Sequence, residues 1–256
     1  MERLSVDADL NYIGEAQVAL MQAERPGIYL AIEALAKELG YSFSIEQDEY
    51  ALRTYHLPFR GVGGNSDHIK LDLNFLERVP VLLPVEQLPP LSALEIDGPP
   101  VPCLQLTEIA GSKLATLLLR GASRDLFDVC SLLRMNRDWV FARKITLFHG
   151  FLDHVRLSNL DPTRPGSITT QEFDRGLRNL LRKGRSVTLE GMKREVARLV
   201  GSIFPLQPSE ERCRDDLIAG HWNPSLLFGD LPVNPNLKNH PAMLWRLQHP
   251  EAWLPK

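Results

Sequence analysis

The chain has 256 residues, of which 44% are hydrophobic and 24% charged, a composition typical of a globular protein with one large or two small domains. It has no run of eighteen apolar residues and no basic-then-apolar start, so we expect neither a membrane partner nor a secretory signal. The three cysteines, Cys103, Cys130 and Cys213, are odd in number and far apart. This pattern argues against a disulfide framework or a thiolate zinc site and favours a cytoplasmic protein.

The net charge of −3 hides an uneven distribution of charge along the chain. Residues 1–112 carry 7 basic and 17 acidic residues, whereas residues 113–198 carry 17 basic and 9 acidic ones. The sequence therefore joins an acidic first part to a basic middle, and a basic surface favours partners such as nucleic acid.

The acidic part alternates between predicted strands and helices. Leu4–Ile13 has apolar residues at every second position, which predicts a strand with one buried face. A helix is expected over about residues 15–23, and a second helix is expected to open at Arg25-Pro26-Gly27 and to close at Gly40. Further predicted strands are Tyr50–Phe59 and His68–Phe75, joined by a glycine-rich hairpin over 61–66, and shorter ones at Leu94–Ile96 and Val101–Leu106.

From Thr107 onward the apolar spacing becomes helical, so we predict an α/β domain over 1–106 and a helical domain over 107–256. The Pro-rich stretch between residues 80 and 102 fits loops and edge positions better than regular structure. From His221 the chain is rich in Pro, Asn and Trp, and we expect loops and short helices there. The predicted helices of this part start at Thr107 or cover Arg124–Met135, 138–151, 169–183, 188–203 and 209–219.

Asp7 and Asp9 are two residues apart on the first predicted strand, so their carboxylates point to the same face. Like charges side by side are costly unless a cation neutralises them. Mg²⁺ takes carboxylate oxygens and leaves positions for phosphate oxygens, as nucleotidyl transfer requires. The alternative is an acidic pair on a solvated strand face, which is common.

Asp72 is the one acid in the predicted strand IKLDLNF. If this strand is a neighbour of the first, Asp72 joins Asp7 and Asp9 in a three-carboxylate site for two metal ions. The alternative, which the sequence leaves equally open, is that Asp72 lies on an exposed strand face.

Lys113, Arg120 and Asp125 form a third feature. Lys113 and Arg120 are seven residues apart and share a helix face, and the RDLFD run places acids in the first turn of the next helix. In a functional interpretation Lys113 or Arg120 holds a triphosphate, and Asp125 orients the lysine. In a structural interpretation Asp125 caps its helix and pairs with Arg124.

These elements together resemble the AbiEii/AbiGii toxin family, nucleotidyltransferase-fold proteins of bacterial toxin–antitoxin and abortive-infection systems. The resemblance rests on RLSVDADL at the start, the lone acid of IKLDLNF, and EIAGSKLATLLLRGASRDLFDV, in that order over about residues 1–135. It implies an α+β fold, with a mixed sheet like that of DNA polymerase beta followed by a mostly helical domain.

The resemblance also implies roles for individual residues. Asp7, Asp9 and Asp72 match the acids that bind Mg²⁺ (or Mn²⁺) and a nucleoside triphosphate. Lys113 and Asp125 match the lysine and aspartate of the family's later motif, which contact the nucleotide. Ser5 is expected to hydrogen-bond within the same site, and Arg120 to bind phosphate. Some relatives add nucleotides to the 3′ end of tRNA, and a cognate antitoxin is the expected partner.

The sequence departs from the family at one point, because the Gly-Gly/Ser turn that precedes the paired acids is absent. Gly61–Gly64 belongs to a predicted hairpin and Gly111-Ser112 to a predicted helix, so neither replaces a turn whose amides grip phosphate at a helix start. One hypothesis is that Met1 is a wrongly chosen start and upstream residues are omitted. The other is that the gene is truncated. We favour the first because the three carboxylates and Lys113 remain.

The basic middle part suggests an RNA-binding surface that includes Arg178, Arg182 and Lys183. The alternative is a solvated helix face paired with nearby acids. The expected function is therefore metal-dependent transfer of a nucleotidyl group from a nucleoside triphosphate to RNA, with tRNA as the favoured acceptor. The competing hypotheses are a non-catalytic protein that binds an antitoxin or RNA, and an NTP-dependent phosphotransferase.

Overall fold

The computed structural model describes residues 7–89, 98–135, 138–184 and 186–253, and the chain forms two compact units. The sheet unit contains the described residues up to Val79 together with 240–242, and the helical unit contains those of 80–239 and from Met243 onward. This division lies earlier in the chain than the boundary expected at residues 106–107. The reason is that residues 81 and 82 donate backbone hydrogen bonds to Glu108, in the first long helix of the helical unit.

The sheet unit is a four-stranded mixed sheet with one long helix. The elements are β1 (Asp7–Asn11), α1 (Val18–Glu38), β2 (Ser44–Asp48), β3 (Leu52–Arg60) and β4 (Ser66–Asn74). The strands lie in the order β1-β4-β3-β2. β1 and β4 are parallel, whereas β3 is antiparallel to both β4 and β2. The predicted β3–β4 hairpin is therefore confirmed.

One face of this sheet is apolar and packs against α1. Met21 of α1 is buried with Tyr55, Leu73 and Phe75, and Ile28 is among the partly buried side chains around them. Because side chains alternate along a strand, the residues between these apolar ones point to the other face. This alternation is what places a row of polar side chains together on the second face.

One prediction for the sheet unit is wrong, and one strand of the sheet was not predicted. The chain forms one helix, α1, through Pro26, where two helices were expected. Pro26 removes one hydrogen bond of the helix, but the apolar stripe that packs on the sheet runs past it from Met21 to Ile32. The strand β2 was not predicted, because Ser44–Asp48 is largely exposed and lacks an apolar alternation.

The helical unit begins with a two-stranded ribbon. Its first strand, β5 (Glu86–Leu88), lies in the Pro-rich segment, where loops and edge positions were expected, and its second, β6 (Val101–Cys103), lies where a strand was predicted. β5 and β6 pair antiparallel, and β6 is shorter than the strand predicted over Val101–Leu106. The predicted strand Leu94–Ile96 lies outside the described residues. The elements are β5 (Glu86–Leu88), β6 (Val101–Cys103), α2 (Leu106–Arg120), α3 (Ser123–Met135), α4 (Trp139–Asp153), α5 (Arg164–Ser167), α6 (Thr170–Gly176), α7 (Leu189–Val200), α8 (Pro208–Ile218), α9 (Pro224–Phe228) and α10 (Pro241–Gln248), with short 3₁₀ helices at Arg178–Leu180, Pro235–Asn239 and Pro250–Trp253.

The helices α2 and α4 pack closely at Gly111. A Cβ atom at this position would lie 2.6 Å from the carbonyl oxygen of Ala142, and the hydroxyl of Thr146 donates to the carbonyl of Gly111 at 3.0 Å. Gly111 is therefore required by the packing of two buried helices. The Gly111-Ser112 pair lies inside α2, as expected.

One helix of the helical unit is shorter than predicted. The helix expected over 169–183 ends at Gly176. A Cβ atom at Gly176 would lie 2.7 Å from the hydroxyl oxygen of Ser123, so the chain comes close to α3 where the helix stops. The following residues form a 3₁₀ turn and an exposed loop.

The α+β class predicted from the sequence is confirmed, with a mixed sheet followed by a mostly helical part. Of the helices in the described ranges, none is both long enough and apolar enough to span a membrane.

Candidate active site

Asp7, Asp9 and Asp72 lie on neighbouring strands of the sheet unit. In the parallel pairing of β1 with β4, Asp9 is opposite Asp72 and Asp7 is opposite Lys70. Asp7 and Asp9 are exposed, whereas the Asp72 side chain keeps 19% of its surface exposed. Residues directly opposite each other in a sheet share a face, so the polar face of the sheet presents all three carboxylates.

Lys70 lies among these carboxylates. Its ammonium Nζ is 2.8 Å from Oδ2 of Asp72. This hydrogen bond, together with the charges of Asp7 and Asp9, raises the pKa of Lys70 although burial opposes the shift. Among the described residues, the ammonium group of Lys70 offsets negative charge of the cluster at Asp72.

Thr54 supports Asp72 from β3. It is opposite Asp72 in the antiparallel β3–β4 pairing, is 1% exposed, and donates its hydroxyl to Oδ1 of Asp72 at 2.6 Å. Burial alone would raise the pKa of Asp72, but the hydrogen bonds from Lys70 and Thr54 outweigh it and the pKa lies below the ordinary value. Asp72 is therefore held in its charged form.

The polar face continues along β3 and β4 beyond the carboxylates. The imidazole rings of His56 and His68 stack with their centroids 4.6 Å apart. His56 Nε2 lies 2.6 Å from a carboxylate oxygen of Glu46 on β2. This row of polar groups extends the face that carries Asp7, Asp9 and Asp72 toward the other edge of the sheet.

The donor chemistry of the cluster fits a hard divalent cation. Carboxylate oxygens are the ligands that Mg²⁺ takes in proteins, and Lys70 shows that a cation is already stable beside Asp72. Within the described ranges, however, no group of three or more His, Cys, Asp or Glu side chains is arranged as a metal site. The side chains of this cluster would therefore have to rearrange around a metal ion.

Of the predicted nucleotide-binding residues, Lys113, Arg120 and Asp125 lie in the helical unit. Ser5 falls outside the described residues. Lys113 Nζ on α2 is 3.7 Å from Oδ2 of Asp128 on α3. Asp125 accepts two hydrogen bonds from the Arg120 guanidinium at 2.6 and 2.7 Å. The proposed pairings of Asp125 with Lys113 or Arg124 are therefore replaced by a pairing with Arg120.

The turn between α2 and α3 explains this pairing. Gly121 ends α2 in the left-handed conformation, with φ of +67°, which glycine adopts without a steric penalty. α3 begins two residues later, so its first turn lies against the last turn of α2. Asp125, which is 1% exposed, thereby meets Arg120 and links the two helices.

The predicted RNA-binding residues are exposed and lie in the 3₁₀ helix that follows α6 and in the next loop. Arg178 pairs with Asp174 at 2.6 Å, an ion pair that leaves both side chains largely in solvent. Arg182 and Lys183 are exposed in the loop, not on a continued helix. The three residues therefore share a region of chain but not one helix face.

Three residues of this geometry were not identified from the sequence. Lys70 had a detectable signal, since it is two residues from Asp72 on a predicted strand and must share its face. Thr54 could be identified only from the register of β3 against β4. Asp128 became the partner of Lys113 because of the turn at Gly121, which residue spacing alone does not reveal.

Comparisons with known proteins bear on the family and the fold of the chain. The family model described as "Nucleotidyl transferase AbiEii toxin, Type IV TA system" matches residues 1–212, whereas no curated protein sequence matches the chain. The structure is similar to MenT4, a nucleotidyltransferase toxin from Mycobacterium tuberculosis, with a TM-score of 0.57 and 19% identity over 82% of this chain and 72% of that one. A weaker likeness is to JHP933 from Helicobacter pylori, with a TM-score of 0.44 and 15% identity over 85% and 82% of the two chains.

The likeness to MenT4 shows the fold, and the family model covers most of the chain. The resemblance seen in the sequence motifs is thereby confirmed. The chain belongs to the AbiEii family of nucleotidyltransferase toxins from type IV toxin–antitoxin systems.

Proposed function

We propose that this protein transfers a nucleotidyl group from a nucleoside triphosphate to RNA, with the 3′ end of tRNA as the acceptor, and that it thereby arrests growth. As a member of a toxin–antitoxin family it has a cognate antitoxin as its partner. The cytoplasm, where tRNA is found, is its site of action. The observation that carries the proposal is the placement of Asp7 and Asp9 beside Asp72 on one face of the sheet.

Asp7, Asp9 and Asp72 would hold Mg²⁺ or Mn²⁺. A bound divalent ion neutralises the phosphate charge that develops during nucleotidyl transfer and helps to orient the attacking and leaving oxygens. The carboxylates supply the negative charge that retains the ion. Asp72 is held ionised by its hydrogen bonds in this structure, and its carboxylate is the proposed acceptor for the proton of the 3′-hydroxyl.

The helical unit contributes basic side chains to the proposal. Lys113 and Arg120 are the proposed phosphate ligands, with Asp125 fixing the position of Arg120 through two hydrogen bonds. Arg178, Arg182 and Lys183 are the proposed RNA contacts. Binding that neutralises several phosphates weakens steeply with salt, so charge reversal at these three residues should reduce both tRNA affinity and its salt dependence.

The test is incorporation of label from α-³²P nucleoside triphosphates into purified tRNA by the wild type and by Asp9→Ala. A metal ion stabilises the transition state by several kcal/mol, and about 1.4 kcal/mol corresponds to a tenfold change in rate. We therefore expect Asp9→Ala to reduce incorporation on the order of a thousandfold and to abolish growth inhibition, with an unchanged circular dichroism spectrum.

Asp67→Asn is the matched control. Asp67 is an exposed carboxylate on the same strand as Asp72. The two are an odd number of residues apart, so Asp67 lies on the opposite face of the sheet, and incorporation by Asp67→Asn should stay at the wild-type level. Equal incorporation by the wild type and Asp9→Ala would contradict the mechanism. Label transferred only from the γ-phosphate would instead identify a phosphotransferase.

A further inference from the structure

Lys70 holds a position that a metal-binding carboxylate cluster does not require. It is opposite Asp7 across the β1–β4 pairing, and its Nζ hydrogen-bonds to Oδ2 of Asp72 at 2.8 Å. The other oxygen of Asp72 accepts the Thr54 hydroxyl at 2.6 Å. Both oxygens of Asp72 are therefore engaged by the protein itself.

The two partners of Asp72 differ in what they would do to an arriving cation. A carboxylate oxygen has two lone pairs, so Oδ1 could accept the neutral Thr54 hydroxyl and still bind a metal ion. The ammonium of Lys70 is positively charged and would be repelled by a divalent ion on Oδ2 at short distance. Thr54 is thus compatible with a metal ion at Asp72, whereas Lys70 in its present position is not.

The Lys70 side chain is able to leave without a change in the backbone. Its side chain is 37% exposed, and a lysine head group sits on a flexible four-carbon stem. Thr54, by contrast, is 1% exposed and is fixed in the sheet. The movable group of the cluster is therefore the lysine.

We propose that Lys70 is an internal counter-cation, which neutralises the carboxylates of Asp7, Asp9 and Asp72 in the metal-free protein and is displaced from Asp72 when a divalent ion binds. This inference rests on the proposed metal-binding role of the three carboxylates. Lys70 is a positioning residue in this scheme, because it acts through Asp72. Its competition with the ion lowers the metal affinity and sets the concentration of divalent ion at which the site fills.

The experiment is equilibrium binding of Mn²⁺ alone to the full chain, followed by electron paramagnetic resonance of the free ion. The variants are Lys70→Met, which keeps the stem and removes the charge, and Lys70→Arg, which keeps the charge. Loss of a hydrogen bond to a charged group changes an equilibrium constant by about tenfold or more. We expect Lys70→Met to bind Mn²⁺ about tenfold more tightly than the wild type and Lys70→Arg to bind it about as weakly as the wild type.

Lys37→Met is the matched control, because it removes the same charge from α1, the helix that packs on the opposite face of the sheet. It should bind Mn²⁺ like the wild type. Equal or weaker binding by Lys70→Met, with binding lost in Asp72→Asn, would overturn the role of Lys70 and leave the metal site standing. Absence of Mn²⁺ binding by both the wild type and Lys70→Met would overturn the metal site itself.

A second measurement uses the wild type and does not depend on the folding of Lys70→Met. The ¹³Cε–¹H signal of Lys70, assigned by its disappearance in Lys70→Arg, is followed during a Mg²⁺ titration. We expect it to shift toward the position of exposed lysines as Mg²⁺ binds, and to show no such titration in Asp72→Asn. A Lys70 signal that stays constant at saturating Mg²⁺ would overturn the proposal.

Discussion

The helical unit contains buried, hydrogen-bonded carboxylates, whereas the acid pair of the sheet unit is exposed. In the helical unit Glu108, Asp125 and Glu210 are 4%, 1% and 0% exposed, and each accepts at least two hydrogen bonds from backbone amides or basic side chains. In the sheet unit Asp7 and Asp9 are exposed.

This difference separates carboxylates that build the fold from carboxylates that remain available. A buried carboxylate that is hydrogen-bonded to the protein stabilises packing, and its burial keeps ligands away from its oxygens. Exposed carboxylates held side by side are electrostatically costly and are offset here by Lys70, whose side chain is able to move. Acidic residues that are equally conspicuous in the sequence therefore have different consequences, and the following variants test the distinction.

The largest effect is expected for Glu210→Gln in the helical unit. The Glu210 carboxylate accepts hydrogen bonds from the Arg143 guanidinium, from the Lys144 ammonium at 2.6 Å and from the backbone N–H of Gln207 at 2.8 Å. Breaking a buried ion pair leaves an uncompensated charge and costs about 3–5 kcal/mol. Urea denaturation at pH 7 should show a loss of this size, and Glu211→Gln, an exposed neighbour, should show almost none.

Protonation of Glu210 at low pH should reproduce part of this loss of stability in the wild type. Burial raises the pKa of Glu210, but its hydrogen bonds outweigh burial and the pKa lies below the ordinary value. The stabilisation is therefore complete above the ordinary pKa of a glutamate and is lost as the pH falls through the lower, folded-state pKa. If the difference in free energy of unfolding between the wild type and Glu210→Gln stays constant down to pH 2, the charge of Glu210 does not stabilise the unit.

A smaller effect is expected for Asp125→Asn. The amide cannot accept both Arg120 hydrogen bonds, and hydrogen bonds to charged groups contribute about 1.5–3 kcal/mol. The matched control is Asp174→Asn, which breaks the exposed pair with Arg178, a type of pair worth about 0–1 kcal/mol. Equal destabilisation by the two variants in urea denaturation would show that burial does not distinguish these aspartates.

The parts of the fold that were predictable carry local signals. Alternation of apolar residues places Asp7 and Asp9 on one face, and the glycine-rich loop between β3 and β4 indicates their hairpin. The parallel pairing of β1 with β4 has no such signal, because the strands are brought together by α1 and by burial of Leu73 and Phe75. The position of Asp72 beside the acid pair therefore stayed one of two alternatives until the register was known.

Other features were missed because tertiary packing overrides a local rule. Pro26 normally ends a helix, but the sheet stabilises α1 on both sides of it. The partner of Asp125 depends on the direction that the chain takes after Gly121. Lys70 was not singled out in the sequence, although its spacing from Asp72 already placed the two side chains on one face.

Thr54→Val makes the smallest change, and it links the two kinds of carboxylate, since Thr54 is buried but its hydroxyl serves the partly exposed Asp72. Valine keeps the shape and removes one hydrogen bond, which costs about 1 kcal/mol. Because the bond from Lys70 remains, we expect the pKa of Asp72 to rise toward its ordinary value without reaching it, as measured by the ¹³C shift of its carboxyl group.

Thr146→Val in the helical unit is the matched control. Thr146 is 0% exposed and its hydroxyl donates to backbone carbonyls of Gly111 and Ala142, so the variant should lose similar stability with no change in the pKa of Asp72. The folded-state pKa of Asp72 is lowered. The loss in free energy of unfolding caused by Thr54→Val should therefore be largest at neutral pH and should become smaller as Asp72 is protonated in acid. A pKa of Asp72 that is the same in both variants would place Thr54 with the groups that only build the fold.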